Sequence, residues 1–103
     1  MDKKNALKIA QEYAHIVKSR FDCKKVILFG SYAKGNNHTD SDIDIAVIFA
    51  DYANRLDMQV ELMKLTRQVD SRIEPHPFRE NEFELYNPIV NEIVKYGEEI
   101  VYN

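Results

Sequence analysis

A chain of 103 residues, of which 45% are hydrophobic and 30% are charged, has the composition of one ordinary globular domain, and we assign residues 1–103 to it. Its net charge of −3 does not favour general binding to nucleic acid, and no apolar run approaches the ~20 residues that cross a bilayer. The N-terminal segment lacks the apolar core of a signal peptide, and one cysteine excludes an internal disulfide. We therefore expect a cytoplasmic protein without direct nucleic-acid or membrane binding.

The first half of the chain predicts one long helix and two strands. Apolar residues recur every three or four positions over residues 3–20, which indicates an amphipathic helix. Residues 25–29 are apolar on both faces and predict a central strand, which Gly30 ends. A short helical turn over residues 31–35 and a polar loop then lead to a second strand over residues 42–49.

The second half predicts a further helix, a third strand and a last helix. The helix over residues 53–69 carries two neighbouring apolar stripes. The strand over residues 72–78 should lie at a sheet edge, because its two prolines cannot donate to a ladder. A turn over residues 81–86 precedes a helix that Asn87 caps and that begins with Pro88. This alternation predicts an α/β domain with a three-stranded core sheet.

Negative charge is concentrated where the second strand begins. Asp42 and Asp44 are two positions apart and therefore share one face of a strand, whereas the other face is wholly apolar. Two carboxylates about 7 Å apart repel each other, and burying one without a partner is costly. A divalent cation would supply the missing charge, and oxygen ligands select Mg²⁺ or Mn²⁺. The alternation thus predicts a metal site at this strand end.

Simpler interpretations of these aspartates stay open on the residues alone. The carboxylates could be a solvated strand end, or they could pair with Lys34 or Arg72. Two acids separated by one residue are a short pattern that occurs often without a ligand. Further support must therefore come from the neighbouring segment of the chain.

The preceding Gly30–Ser31 pair predicts an anion site. Gly30 closes a strand and Ser31 opens a turn as its N-cap, so the first backbone N–H groups of that turn can bind phosphate oxygens. Ser31 can add its hydroxyl, and Lys34 lies one turn later as a positive charge. Alone, a glycine and a capping serine indicate only a turn. A nucleoside triphosphate with bound Mg²⁺, however, would occupy an anion site and a neighbouring dication site at once.

The spacing Gly30-Ser31, ten residues, then Asp42-Ile43-Asp44 resembles the signature of nucleotidyltransferases with a DNA polymerase beta-like fold. The compact length and the segments "GSYAKG", "SDIDIAV" and "RIEPHPF" resemble the minimal nucleotidyltransferases, which are antitoxin partners of HEPN-domain toxins. The resemblance covers residues 24–78. It implies an α/β fold with a small mixed three-stranded sheet flanked by helices.

The resemblance also implies roles for individual residues. Gly30 and Ser31 would hold the triphosphate, and Asp42 and Asp44 would ligate Mg²⁺, with two ions as the implied number. Glu74 matches the third acid of the family, on the next strand, and would act as a metal ligand or as a general base. Its alternatives are an exposed edge-strand side chain or an ion pair with the nearby arginine.

The implied reaction is the Mg²⁺-dependent transfer of AMP from ATP to a hydroxyl group of a HEPN toxin. In the resembled group this hydroxyl belongs to a tyrosine, and its modification silences the toxin. From a different class, the chain could be a binding module that neutralises its partner by covering its surface, with no catalysis. A nucleotide-sensing domain is a third interpretation.

Two remaining features concern the partner and the histidines. The late part of the chain is rich in apolar and aromatic residues that could form a partner surface. These residues are Phe83, Leu85, Tyr86, Ile89, Tyr96 and Tyr102. His15, His38 and His76 show no ligand spacing, and we expect none of them to be functional.

Overall fold

The computed structural model describes residues 1–84 and 87–101, and these ranges contain nine helices and strands. In chain order they are α1 (Lys3–Arg20), β1 (Lys25–Phe29), α2 (Ser31–Lys34), β2 (Ile43–Phe49), α3 (Arg55–Thr66), β3 (Ile73–Arg79), a 3₁₀ helix (Glu80–Glu84), α4 (Pro88–Tyr96) and β4 (Glu98–Glu99). In these ranges, no helix has the length and apolar character that crossing a membrane requires. The predicted turn over residues 81–86 corresponds to the 3₁₀ helix, although Leu85 and Tyr86 lie outside the described residues.

One mixed sheet in the order β3-β2-β1-β4 forms the centre of the fold. β2 runs antiparallel to β1 and parallel to β3, and α3 makes the crossover between the two parallel strands. The predicted central position of β1 and the predicted edge position of β3 are both confirmed. The predicted mixed α/β architecture is therefore confirmed as well.

The sheet has four strands, so the prediction of three is wrong by one. β4 contains only Glu98 and Glu99, which pair antiparallel with Leu28 and Ile27 of β1. Two residues are too few for an alternating pattern to be visible in the sequence. Gly97 permits this pairing, because a Cβ atom at that position would come within 2.7 Å of the Ile27 side chain.

The outer edge of β3 carries the two prolines of this strand. The side-chain amide of Gln59 donates a hydrogen bond to the Pro75 carbonyl at 2.7 Å, and the Tyr52 hydroxyl donates to the Pro77 carbonyl at 3.4 Å. The prolines themselves have no N–H group to donate. The backbone groups of these two residues are thus satisfied without a further strand.

One face of the sheet packs against α1 and α3. The alternate residues of β2 that the sequence predicts to be wholly apolar point to this face and are at most 3% exposed. They are Ile43, Ile45, Val47 and Phe49. α1 begins where the Asp2 side chain accepts a hydrogen bond from the Asn5 N–H, and it buries the stripe Ala6, Ala10, Tyr13, Ala14 and Val17. This layer holds the larger part of the core.

α3 is shorter than predicted and buries only one of its two apolar stripes. It begins after Asn54, whose side chain accepts a hydrogen bond from the Asp57 N–H at 3.0 Å. Leu62 and Leu65 pack into the core, whereas the other stripe is exposed. The exposed residues are Leu56, Val60 and Met63.

The second face of the sheet is covered by α4 over only part of its length. The residues packed there are Phe29, Ala46, Ile48, Phe78, Val90 and Ile93, with Ile27 and Phe83 beside them. Asp44 shares this face with Ala46 and Ile48 but lies outside the apolar cluster, with 24% of its side chain exposed. The strand end that carries Asp44 is therefore open to solvent.

Candidate active site

The register of the two parallel strands brings Asp44, Glu74 and His76 together at the open end of the sheet. Asp44 is paired with Glu74, and Ala46 with His76. Because paired residues and residues two positions apart share a face, all three side chains point to the same side. One ligand atom from each of the three lies within 4.8 Å of the others. Two carboxylates and an imidazole nitrogen at this spacing are a suitable donor set for a divalent cation.

Asp42 is close to this cluster but does not belong to the strand, because β2 begins at Ile43 and not at residue 42 as predicted. Asp42 is exposed in the approach to β2. A hydrogen bond between the side chains of Asp42 and Glu74 is one of the causes that raise the pKa of Glu74, so the two carboxyl groups are neighbours. The site therefore has Asp44 and Glu74 on the strands and Asp42 at its rim.

Desolvation and neighbouring charges act on the carboxyl group of Glu74. Although Glu74 is exposed, desolvation is the largest cause that raises its pKa, and it is opposed by His76. The negative charges of Asp44 and Asp42 raise this pKa further. A cation at this place would compensate the negative charge that acts on Glu74.

His76 is the residue of the cluster that the sequence analysis missed. Its Nε2 atom lies 3.1 Å from Oδ1 of Asp44, and its ring meets the Phe29 ring edge-on at 5.1 Å between centroids. The structure thus places His76 beside the acids, while the expectation that it has no function stays a prediction. The signal was present in the sequence, since His76 follows Glu74 by two positions and so shares its strand face.

Gly30 lies against Asp44. Its φ of 77° is in the left-handed region, and a Cβ atom built on it would overlap with Oδ2 of Asp44. Only glycine lets the backbone at the end of β1 approach the carboxylate so closely. The structure also corrects the prediction for Ser31, because Gly30 is the N-cap of α2 and Ser31 is its first helical residue. The N-terminal end of α2, with Ser31, thus begins directly beside the acids.

Lys34 and Arg72 form ion pairs away from the strand-end aspartates. Lys34 Nζ lies 2.6 Å from Glu92 of α4 and 5.4 Å from the centre of the Tyr96 ring. Arg72 pairs with Asp70 at 2.7 Å. These contacts give both cations other partners, so they do not support the interpretation in which the aspartates or Glu74 are neutralised by them.

Some of the residues predicted to form a partner surface are packed inside the fold, and others are exposed. Phe83 packs beside the apolar cluster under α4, whereas Ile89 and Tyr96 are 38% and 43% exposed. Leu85, Tyr86 and Tyr102 lie outside the described residues. Two of the six residues are therefore available on the described surface.

Residues 11–103 match the model of the family described as Polymerase beta, Nucleotidyltransferase. The match covers most of the chain, and the class it defines agrees with the mixed sheet and the acidic strand end described above. The chain belongs to this family of nucleotidyltransferases. The resemblance expected from the Gly-Ser and Asp-x-Asp segments is thereby confirmed.

The chain is also similar to individual proteins of known sequence or structure. The protein adenylyltransferase MntA of Shewanella oneidensis is 41% identical over 49 residues, which are 48% of this chain and 35% of that protein. A solved structure from Sulfolobus solfataricus, named a nucleotidyltransferase, has a TM-score of 0.67 and 26% identity, covering 94% of this chain and 80% of that one. A complex of a tri-AMPylated HEPN toxin of Shewanella oneidensis with its MNT antitoxin has a TM-score of 0.62 at 20% identity, covering 98% and 73%.

The extent of these matches differs between the sequence and the structure. The segments aligned with the curated relatives cover only 35–46% of the length of those proteins. The structural likeness extends over nearly the whole chain, and at 20% identity it concerns the fold. The family is thus established over most of the chain, while the reaction of this protein is a matter for proposal.

Proposed function

We propose that this chain transfers AMP from ATP to a hydroxyl group, that of a tyrosine, on a partner HEPN toxin and thereby acts as its antitoxin. The observation that carries the proposal is the meeting of Asp44 and Glu74 directly beside the Gly30–Ser31 corner. Support also comes from the relative named as a protein adenylyltransferase and from the AMPylated toxin complex of similar fold. We further propose that residues 1–103 act as one nucleotidyltransferase domain in the cytoplasm.

Divalent cations belong to this proposal. Asp44 and Glu74 would hold Mg²⁺ or Mn²⁺, with Asp42 adding a carboxylate from the rim, and we propose two ions for the complete site. When bound, the metal neutralises phosphate charge and makes the attacking hydroxyl more acidic. The electrostatic reason for binding is the repulsion among the acids, which raises the pKa of Glu74.

The residues around the acids would orient the nucleotide. The N–H groups in the first turn of a helix have no partner within the helix, and at α2 they would meet the phosphates, together with the Ser31 hydroxyl. Because Gly30 has no side chain, this corner and Asp44 would contact the same triphosphate. Lys34 would add a positive charge after leaving Glu92.

Glu74 is the candidate general base. Its raised pKa gives its carboxylate a higher proton affinity than an ordinary glutamate has, which suits the removal of a proton from the attacking hydroxyl. The same carboxylate could instead remain a metal ligand throughout. Both roles require that Glu74 faces Asp44, as it does in the register of β2 and β3.

The test combines the purified chain with Mg²⁺, ATP labelled at its α-phosphate, and the product of the neighbouring reading frame, which the proposal expects to be a HEPN-domain protein. We expect label on a tyrosine of the partner, and a loss of at least about a hundredfold in Asp44→Asn. Asp51→Asn is the matched control, because Asp51 pairs with Arg79 beyond the opposite end of β2. Tight binding of the partner by the unaltered chain, with no label transferred, would support the non-catalytic blocking function instead.

A further inference from the structure

We propose that His76 is a metal ligand through its Nε2 atom, and that this mixed nitrogen and oxygen site prefers Mn²⁺ to Mg²⁺. The inference deepens the proposed function, since it concerns the same site. It assigns a role to a residue for which the sequence analysis expects none. It also specifies the metal, which the acids alone leave open between two ions.

The position of the imidazole is fixed by its neighbours on the sheet. His76 is paired with Ala46, whose small side chain leaves room for a ring above β2. The Phe29 ring meets this imidazole at an interplanar angle of 64° from the neighbouring strand on the other side. With 23% of its side chain exposed, His76 is held toward Asp44 while Nε2 stays within reach of solvent ions.

The distances between the donor atoms agree with a shared ion. Two donors in adjacent positions of an octahedral site with bonds of 2.0–2.1 Å are about 3 Å apart. His76 Nε2 and Asp44 Oδ1 are hydrogen-bonded at 3.1 Å, a separation that the two atoms would keep as adjacent ligands of an ion that replaced this bond, and the Glu74 donor completes a group within 4.8 Å. The three donors come from two strands in direct register, so they are supported by regular backbone hydrogen bonds and not by a loop.

The chemistry of the donors determines which ion is favoured. Mg²⁺ and Mn²⁺ both bind carboxylates and water, but Mn²⁺, as a transition-metal ion, gains more from an imidazole ligand than Mg²⁺ does. A neutral nitrogen also adds a ligand without adding negative charge to acids that already repel each other. Replacing His76 should therefore weaken Mn²⁺ binding more than Mg²⁺ binding.

The direct test is pulsed electron paramagnetic resonance of the purified chain with Mn²⁺, without nucleotide or partner. We expect a ¹⁴N coupling from a bound imidazole in the unaltered protein, its loss in His76→Gln, and its retention in His15→Gln. His15 lies exposed on α1, on the side of the sheet away from the site, and is the matched control. Bound Mn²⁺ without nitrogen coupling in the unaltered protein, a coupling that survives in His76→Gln, or no Mn²⁺ binding at all would each overturn the inference.

A competition titration supplies an independent measurement. His76→Gln should lose Mn²⁺ affinity by about tenfold and Mg²⁺ affinity by clearly less, while equal losses for the two ions would contradict the preference. Nitrogen coupling without AMP transfer would refute the transferase proposal alone. Conversely, AMP transfer with Mn²⁺ held by oxygen atoms only would refute the role of His76 alone.

Discussion

At the level of single residues, the backbone of Gly30 directly affects the site, because it lies against the Asp44 carboxylate. Gly30→Ala would force a side chain into the Asp44 carboxylate and into an unfavourable φ of 77°. Gly35→Ala is the matched control, because Gly35 has a φ of 82° but, among the described residues, nothing lies within 4 Å of a Cβ there. We expect Gly35→Ala to lose about 1 kcal/mol of unfolding free energy and Gly30→Ala to lose more, and only Gly30→Ala to lose Mn²⁺ binding as well.

Chemical denaturation and a metal titration of the two variants measure these effects. Equal metal affinities in Gly30→Ala and Gly35→Ala would show that the close approach to Asp44 does not matter for the site. A larger loss of stability in Gly30→Ala would agree with the overlap, since it adds a steric cost to the cost of the backbone conformation.

Glu74 should reduce the stability of the fold at neutral pH. Because its pKa is raised in the folded state, its contribution is favourable below the ordinary value of 4.5 and is lost as the pH rises through the folded-state pKa. Glu74→Gln mimics the protonated form and should melt at a higher temperature than the unaltered chain at pH 7, with no difference near pH 3. Thermal melts between pH 3 and pH 7 measure this difference in melting temperature. Glu12→Gln is the control, because Glu12 is an exposed glutamate on α1.

A gain in stability that accompanies a loss of transfer activity is typical of a residue kept for function. If Glu74→Gln melted below the unaltered chain at pH 7, desolvation and the neighbouring acids would not outweigh the attraction of Glu74 to His76. An identical pH dependence in both proteins would lead to the same conclusion.

At the level of secondary structure elements, the contact of α1 with α3 depends on one buried hydrogen bond. The Tyr13 hydroxyl donates to the Leu62 carbonyl at 2.7 Å, and neither residue is exposed. Tyr13→Phe should cost about 1 kcal/mol of unfolding free energy at pH 7. Burial raises the pKa of Tyr13 above its ordinary value of 10.0, so this residue's contribution is present below pH 10 and is lost above it.

Urea unfolding at pH 7 and at pH 11 tests this contact. The difference between Tyr13→Phe and the unaltered chain should shrink or change sign at the higher pH, since only tyrosine then gains charge on unfolding. A constant difference at both values would contradict the assignment.

At the contact between α2 and α4, the proposed nucleotide site would compete with Glu92 for Lys34. The ion pair is partly exposed, so it should be weak. Glu92→Gln should therefore tighten ATP binding by about two- to fivefold, whereas Lys34→Gln should weaken it. Isothermal titration measures both, and unchanged binding in Lys34→Gln would remove Lys34 from the phosphate site.

The elements that could be predicted from the sequence are those with a strong local signal. The 3.6-residue period of α1 and the prolines of β3 were sufficient to predict the helix and the edge strand. β4 could not be predicted, because its two residues pair through a close approach that depends on Gly97. The buried stripe of α3 could not be distinguished from the exposed one, because both are equally apolar in sequence.

Spacing along one strand could predict only those site residues that lie on the same strand. Asp44 and Glu74 were expected together because a family resemblance aligned two acids that 29 intervening residues separate. The proposed role of His76 depends on the register between β2 and β3, which sequence periodicity does not determine. The position of Asp42 before the strand is likewise set by where the ladder begins.

At the level of the whole molecule, metal binding should raise the thermal stability of the fold. A ligand at about a hundred times its dissociation constant adds about 2.7 kcal/mol to the folded state, and 1 kcal/mol raises Tm by about 4–8 °C in a domain of this size. A gain of about 2.7 kcal/mol corresponds to a rise in Tm of about 10 °C or more, and we expect this rise at saturating Mn²⁺. The shift should disappear in Asp44→Asn and persist in Asp51→Asn, and a shift common to both variants would indicate binding elsewhere on the surface.

The proline-bearing edge of β3 has a consequence for how this protein associates with others. A free sheet edge normally offers a row of donors and acceptors that recruits a strand from another chain. Here two alternate residues of the edge have no N–H group, and their carbonyls already accept hydrogen bonds from Gln59 and Tyr52. The chain is thereby protected against edge-to-edge aggregation on this side, and any protein that binds there must contact side chains instead of extending the sheet.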